Sequence, residues 1–234
     1  MRGGAARFAG LVASLSVVAL TATGASAGLR VPQVPVLGGG LQSYLNGVGS
    51  SINVLTDQND VQTWATVTSV SITLMFELSG NAAATSFGLY NAGSPALPLY
   101  EVFPAAATSG WFATASFRTA PPRVVISLFD DQGNVMGVTT YLGADAAIFG
   151  YYLQCPGGLF YTQDAHNPGG TAQALAYGSM GNDAGEWWLC WEDAQVSGGA
   201  SDQDYDDSVV FVGSYSPGLP VSKTSWGALK KRFR

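Results

Sequence analysis

"TWATVTSVSITLMFEL", residues 63 to 78, decides the fold. Val67, Val70, Ile72 and Leu74 are separated by Thr and Ser, so apolar and hydroxyl side chains fall on opposite sides of an extended chain, and nothing in the run follows the 3.6-residue period of a helix. β-branched residues dominate it, as suits a half-buried pleated surface.

Comparable short runs recur downstream: "LPLYEVF" (97–103), "GWFATASFR" (110–118), "RVVISLF" (123–129), "NVMGVTTYLG" (134–143), "AIFGYYLQ" (147–154), "GLFYT" (158–162), "AQALAYG" (172–178), "EWWLCWE" (186–192) and "SVVFV" (208–212). Gly, Pro, Asn and Asp punctuate them, and "DDQGN" (130–134) has the composition of a hairpin turn. About nine or ten strands at this spacing predict an all-β, antiparallel two-sheet sandwich, jelly-roll-like in outline. The segment 41–62 permits a short helix or a strand start.

The N-terminus, "MRGGAARFAGLVASLSVVALTATGASAG", places Arg2 and Arg7 before an apolar stretch and closes on Ala25-Ser26-Ala27. This is the order of a secretory signal peptide, assigned to residues 1–27, with an uncleaved anchor as the competing reading. The apolar stretch is shorter than the roughly 20 residues of a bilayer span, so no transmembrane span is expected in the mature chain. Residues 28–40, rich in Pro and Gly, form a lead-in; the β-sandwich domain is expected over 41–215. Residues 216–234 are a basic tail holding Lys223, Lys230, Lys231, Arg232 and Arg234, read either as a frayed solvated end or as a sorting or docking signal. The expected location is secreted or at the cell surface.

Charged residues make up 11% of the chain and the formal net charge is −6. Loss of Arg2 and Arg7 with the leader would move it from −6 to −8. No basic stripe is left to neutralise phosphates, which excludes nucleic acid as an expected partner. Cys155 and Cys190 allow one disulfide in an oxidising compartment or, alternatively, two buried thiols.

The chemistry concentrates in "WWLCWEDAQVSGGASDQDYDDSVVFV" (187–212), which has six acidic side chains and no Lys or Arg. From Val124 to Ser222 the chain has no Lys or Arg at all. Carboxylates brought together without a counter-charge must take up protons or bind a cation. Calcium, which accepts six to eight oxygen ligands in flexible geometry, suits such a set. If the loop is extended, Asp202, Asp204 and Asp206 point to one side and Tyr205 and Asp207 to the other, with Glu192 or Asp193 meeting the first group across the hairpin. A solvated acidic turn is the competing reading. An EF-hand is excluded, because Asp207 stands at its glycine position and Gly213 at its final glutamate position. "YTQDAHNPGGTAQ" (161–173) adds Asp164 and Asn167 as further candidate oxygen donors, and His166 reads as a turn residue. Zinc is disfavoured by the lack of any Cys/His ligand spacing.

"LFYTQDAHNPGG", "AQALAYG", "EWWLCWED" and "SDQDYDDSVVFV" together resemble a bacterial exported domain-of-unknown-function family with a C-terminal F-E-D … D-x-D-Y-N-D signature, often found in PEP-CTERM-type sorted proteins. The likeness covers about residues 145–213. It implies a β-sandwich calcium-binding module with Glu192, Asp193, Asp202, Asp204, Asp206 and Asp207 as the metal-site residues. Trp191 stands where Phe is usual, Asp206 where Asn is common, and Ala172-Gln173 where the family often has Asp-His; the tail lacks Pro-Glu-Pro and a hydrophobic span.

The expected function is therefore an exported, non-enzymatic, calcium-binding β-sandwich domain of the cell surface or extracellular matrix. A carbohydrate-binding or adhesive module is the alternative, with Trp187, Trp188, Trp191 or Tyr205 stacking on an extracellular glycan. A glycoside hydrolase built on two carboxylates is a third reading; no G-x-S-x-G, H-E-x-x-H or phosphate loop is present.

Overall fold

A computed structural model describes residues 40–59, 61–65, 69–77, 82–144, 147–178 and 186–215. The predicted signal peptide, the lead-in other than Gly40, Asp183 and the basic tail lie outside the described residues.

Alternation along residues 69–74 is realised as expected: Val70, Ile72 and Leu74 are buried while Ser69, Ser71 and Thr73 are half-buried. They lie in β2 (Ser69–Glu77), the centre of a seven-stranded antiparallel sheet. Its order is β10 (Ala174–Gly178), β11 (Glu186–Trp191), β12 (Ser208–Tyr215), β2, β5 (Phe112–Thr119), β6 (Pro122–Phe129) and β7 (Val135–Leu142). The second sheet joins β1 (Trp64–Ala65), β8 (Ile148–Cys155), β3 (Ser86–Asn91) and β4 (Leu99–Phe103), with β9 (Gly158–Tyr161) also paired to β8. The chain changes sheet after β1, β2, β4, β7 and β9, giving an all-β two-sheet sandwich.

The described strands number twelve rather than nine or ten. One difference is β3, "SFGLYN", whose four central residues are all buried. A strand covered on both faces has no alternation to read. Gly88 is the reason it can be covered so closely: a Cβ there would lie 2.3 Å from the Tyr100 carbonyl oxygen and 2.6 Å from the Tyr152 ring. The other difference is that residues 63–78 hold two strands, not one, because Trp64–Ala65 pairs with β8 in the opposite sheet.

Between the sheets lies an aromatic-rich core. Phe117 stacks on Phe149 at 5.2 Å, and Phe87 meets Trp191 edge-on at 6.1 Å, so the two layers interlock through rings. A second apolar cluster sits on the outer face of β10, β11 and β12, where Leu175, Trp188, Cys190, Val209 and Phe211 are covered by α1 (Leu41–Gly47) and by Ile52 and Val54. Leu41 and Leu45, four residues apart, form the buried stripe of that single helical segment.

These two clusters favour the second of the two readings for the cysteines, two buried thiols, over a disulfide. Cys155 belongs to the inter-sheet core and Cys190 to the outer cluster, and both are free and buried. Side-chain parity on β11 is the cause: Leu189 and Trp191 face the inter-sheet core, so Cys190 between them must point away from it. The Cys155 thiol instead donates to the Asp193 carbonyl at 3.0 Å.

Candidate metal centre

β11 and β12 are antiparallel neighbours, with Trp191 opposite Ser208, and the acidic segment 192–207 is the long connection between them. All six acidic residues predicted for the site lie in this one loop, but the loop does not leave them on one extended face. Gln203 (φ 62°) and Tyr205 (φ 56°) adopt the left-handed conformation, as does Gly199 (φ 68°). Reversals at 203 and 205 break the alternation that extended backbone would have imposed.

Three destinations result. Glu192, Asp202 and Asp204 converge: one oxygen from each lies within 4.8 Å of the others. Asp206 is turned back to the N-terminal segment, where it accepts the Gly40 backbone N–H. Asp207 turns to Asp193, accepting its backbone N–H at 2.9 Å. Asp206 and Asp207 thus have structural partners of their own, and the expectation that Asp202, Asp204 and Asp206 share one side is corrected to Asp202 and Asp204 with Glu192.

Glu192 anchors the arrangement. It is wholly buried, accepts the Tyr205 backbone N–H at 2.5 Å on one oxygen, and accepts the Ser201 hydroxyl on the other. A carboxylate offers about four lone-pair sites, so these two bonds leave Glu192 with acceptor capacity beside Asp202 and Asp204. Asp204 in turn accepts the Asp206 N–H at 3.2 Å. Tyr205 is held by its own hydroxyl, which donates to the Ala172 carbonyl at 3.0 Å.

Gln173 is the residue that sequence reasoning missed. Fully buried, it donates through Nε2 to the Ala194 carbonyl at 2.9 Å and accepts the Val196 N–H on Oε1 at 2.7 Å. Its carbonyl also takes the Glu192 N–H at 3.0 Å. Just ahead of β10, Gln173 therefore continues β-type bonding past the end of β11 with its backbone carbonyl and ties down the start of the loop with its side-chain amide. Nothing in its sequence position signals this. The predicted contributions of Asp164 and Asn167 are not seen: Asn167 spends its amide on Tyr161 and Thr171 backbone groups, and Asp164 meets Gln62. His166 is exposed and lies edge-on to Tyr90 and Tyr161.

The electrostatics follow from burial without counter-charge. Burial, then the negative charges of Asp202 and Asp204, push the Glu192 carboxyl up, against its two hydrogen bonds. Asp204 is raised by burial and then by Asp206. Asp207 is pushed up to about 7, first by burial and then by Asp193, Glu192 and Asp202. Each shift marks a carboxylate whose ionised form is disfavoured until positive charge arrives.

Of the aromatics proposed to stack on sugars, Trp188, Trp191 and Tyr205 are buried, and Trp187 is half-buried with its ring 6.0 Å from Trp64. They serve packing. Comparison with protein-family models, with curated proteins and with solved structures finds no match to this chain.

Proposed function

We propose that this is an exported, non-enzymatic β-sandwich domain of the cell surface or extracellular matrix whose β11–β12 loop is held in shape by a bound calcium ion. The observation that carries the proposal is the convergence of Glu192, Asp202 and Asp204 oxygens within 4.8 Å in a stretch of chain without Lys or Arg.

The donor set favours calcium within the class of divalent ions. All three groups are hard carboxylate oxygens, with the Ser201 hydroxyl bonded to Glu192 beside them, and calcium tolerates irregular oxygen cages that magnesium does not. Calcium would offset the like-charge repulsion among these groups and add to the hydrogen bonds and the buried Val196 and Tyr205 side chains that already hold the loop. Glu192, Asp202 and Asp204 would supply direct ligands; Gln173, Tyr205 and Ser201 would position them. The signal-like leader and the likeness of residues 145–213 to exported calcium-type domains support the same reading. The described residues contain no helix long and apolar enough to cross a membrane.

The test is thermal melting in chelator and in millimolar calcium, for the native chain and for Glu192→Gln. A ligand bound only by the folded state stabilises it by about 2.7 kcal/mol at a hundredfold excess over its dissociation constant. The native chain should melt higher in calcium, with magnesium much less effective, and Glu192→Gln should lose the increment. Identical melting curves in chelator and calcium would overturn the proposal.

A further inference from the structure

Four strand edges border the two sheets, and three of them are obstructed. At β10 the Asn59 N–H bonds the Ala176 carbonyl at 2.8 Å, capping that edge. At β4 the Tyr141 hydroxyl reaches the Glu101 backbone, accepting its N–H at 3.0 Å, and the Glu101 side chain is exposed there. On the side of β8 away from β3, the described residues provide β1, of two residues, and β9, of four. Short, covered or charged edges are the devices by which sheets avoid adding foreign strands.

The fourth edge, β7, has none of them. "VMGVTTYL" spans eight residues, contains no charge and no proline, and pairs with β6 alone among the described strands. Val135, Met136, Val138 and Leu142 are exposed at 64%, 49%, 62% and 78%, more than any core requirement explains.

Charge placement selects the occupant. Between residues 40 and 215 the chain has two basic side chains, Arg118 and Arg123. They stand directly opposite each other on β5 and β6, at the end of the β6–β7 hairpin where Arg123 is also paired with Leu142. Two cations facing across a ladder repel. At the other end of the same hairpin the turn carries Asp130 and Asp131, with Asp131 exposed.

We infer that β7 is the interface of a homodimer in which the β7 strands of two copies pair antiparallel about a two-fold axis at Val138, which faces its own counterpart in the other copy. The axis, perpendicular to the sheet, keeps Val138 and Leu142 of both copies on one face, as the two-residue side-chain period requires. It also turns the Asp130–Asp131 end of each copy toward the Arg118–Arg123 end of the other. This approach sets the turn carboxylates of each copy toward the Arg pair of the other, with no charged residue in β7 itself. The seven-stranded sheets become one continuous sheet, and the two-fold closes the assembly at two copies.

Sedimentation analysis of the full chain across a concentration series tests this, with circular dichroism to confirm folding. The native chain should form a dimer, and Val138→Lys, a change at an exposed position, should leave a folded monomer. At low ionic strength Arg118→Glu should weaken the dimer about tenfold, and Asp131→Arg in the same chain should restore it. A native chain that stays monomeric at high concentration, a Val138→Lys variant that still dimerises, or open-ended polymers would each overturn the interface; an unchanged dissociation constant for Arg118→Glu would overturn the antiparallel orientation.

Discussion

The buried Glu192 carboxylate accepts the backbone N–H of Tyr205 at 2.5 Å across the β11–β12 connection. One side chain thereby fixes the left-handed turn that separates Asp204 from Asp206, and sorts the loop carboxylates into a converging group and two structurally bonded ones.

Replacing Glu192 with Ala should therefore cost stability even in chelator. The Tyr205 N–H and the Ser201 hydroxyl lose their acceptor inside the protein, and an unsatisfied buried donor costs about 1–3 kcal/mol. Glu192→Gln keeps an acceptor and should lose less. Urea unfolding in chelator measures the difference, and equal losses for both variants would remove the anchoring role.

The pH dependence follows from Asp207. Its carboxyl is raised to about 7 in the folded protein, above the ordinary value of 3.8. Between those values the folded state holds a proton that the unfolded state has released, so stability rises as pH falls. In chelator the melting temperature should climb from pH 8 to pH 5 and level off near pH 4. Asp207→Asn should flatten the profile. Calcium should reverse the trend, because protons compete with the cation for Glu192 and Asp204, whose carboxyls are also raised in the folded protein.

Gly157 lies against the loop: a Cβ there would sit 2.1 Å from the Asp193 carbonyl oxygen. That oxygen accepts the Cys155 thiol, so the contact cannot widen without displacing the start of the acidic loop. Gly157→Ala should destabilise by about 1–3 kcal/mol, the usual range for overpacking, and should weaken calcium stabilisation in melting curves.

Cys155 and Cys190 should remain thiols in the folded protein. Burial pushes both thiols up, with nearby carboxylates adding to the shift, so the reactive thiolate is scarce. Native alkylation should be slow and should become complete on denaturation, and the intact mass should not change on reduction.

Leu45 is fully buried between α1 and the outer face of the β10–β12 meander. Leu45→Ala should cost about 2–5 kcal/mol. Because Gly40 immediately precedes α1 and bonds Asp206, the variant should also loosen the loop, seen as faster amide exchange at Tyr205 and Asp206.

Period-2 alternation in residues 69–74 and 112–117 was enough to specify strands, and with them a two-sheet core, since each such strand has one face to bury. The same argument located the loop between "EWWLCWE" and "SVVFV" and its surplus of carboxylates. β3 was not legible, because a strand buried on both faces carries no alternation. The partition of the carboxylates was not legible either. Whether Asp206 joins Asp204 depends on the left-handed Tyr205, held by Glu192 and by Ala172 on the approach to β10, and on Gly40 ahead of α1, which bonds Asp206 itself. Composition and periodicity fix which residues are apolar, acidic or extended; only long-range hydrogen bonds and side-chain parity across packed sheets decide which acids meet and which cysteines do not.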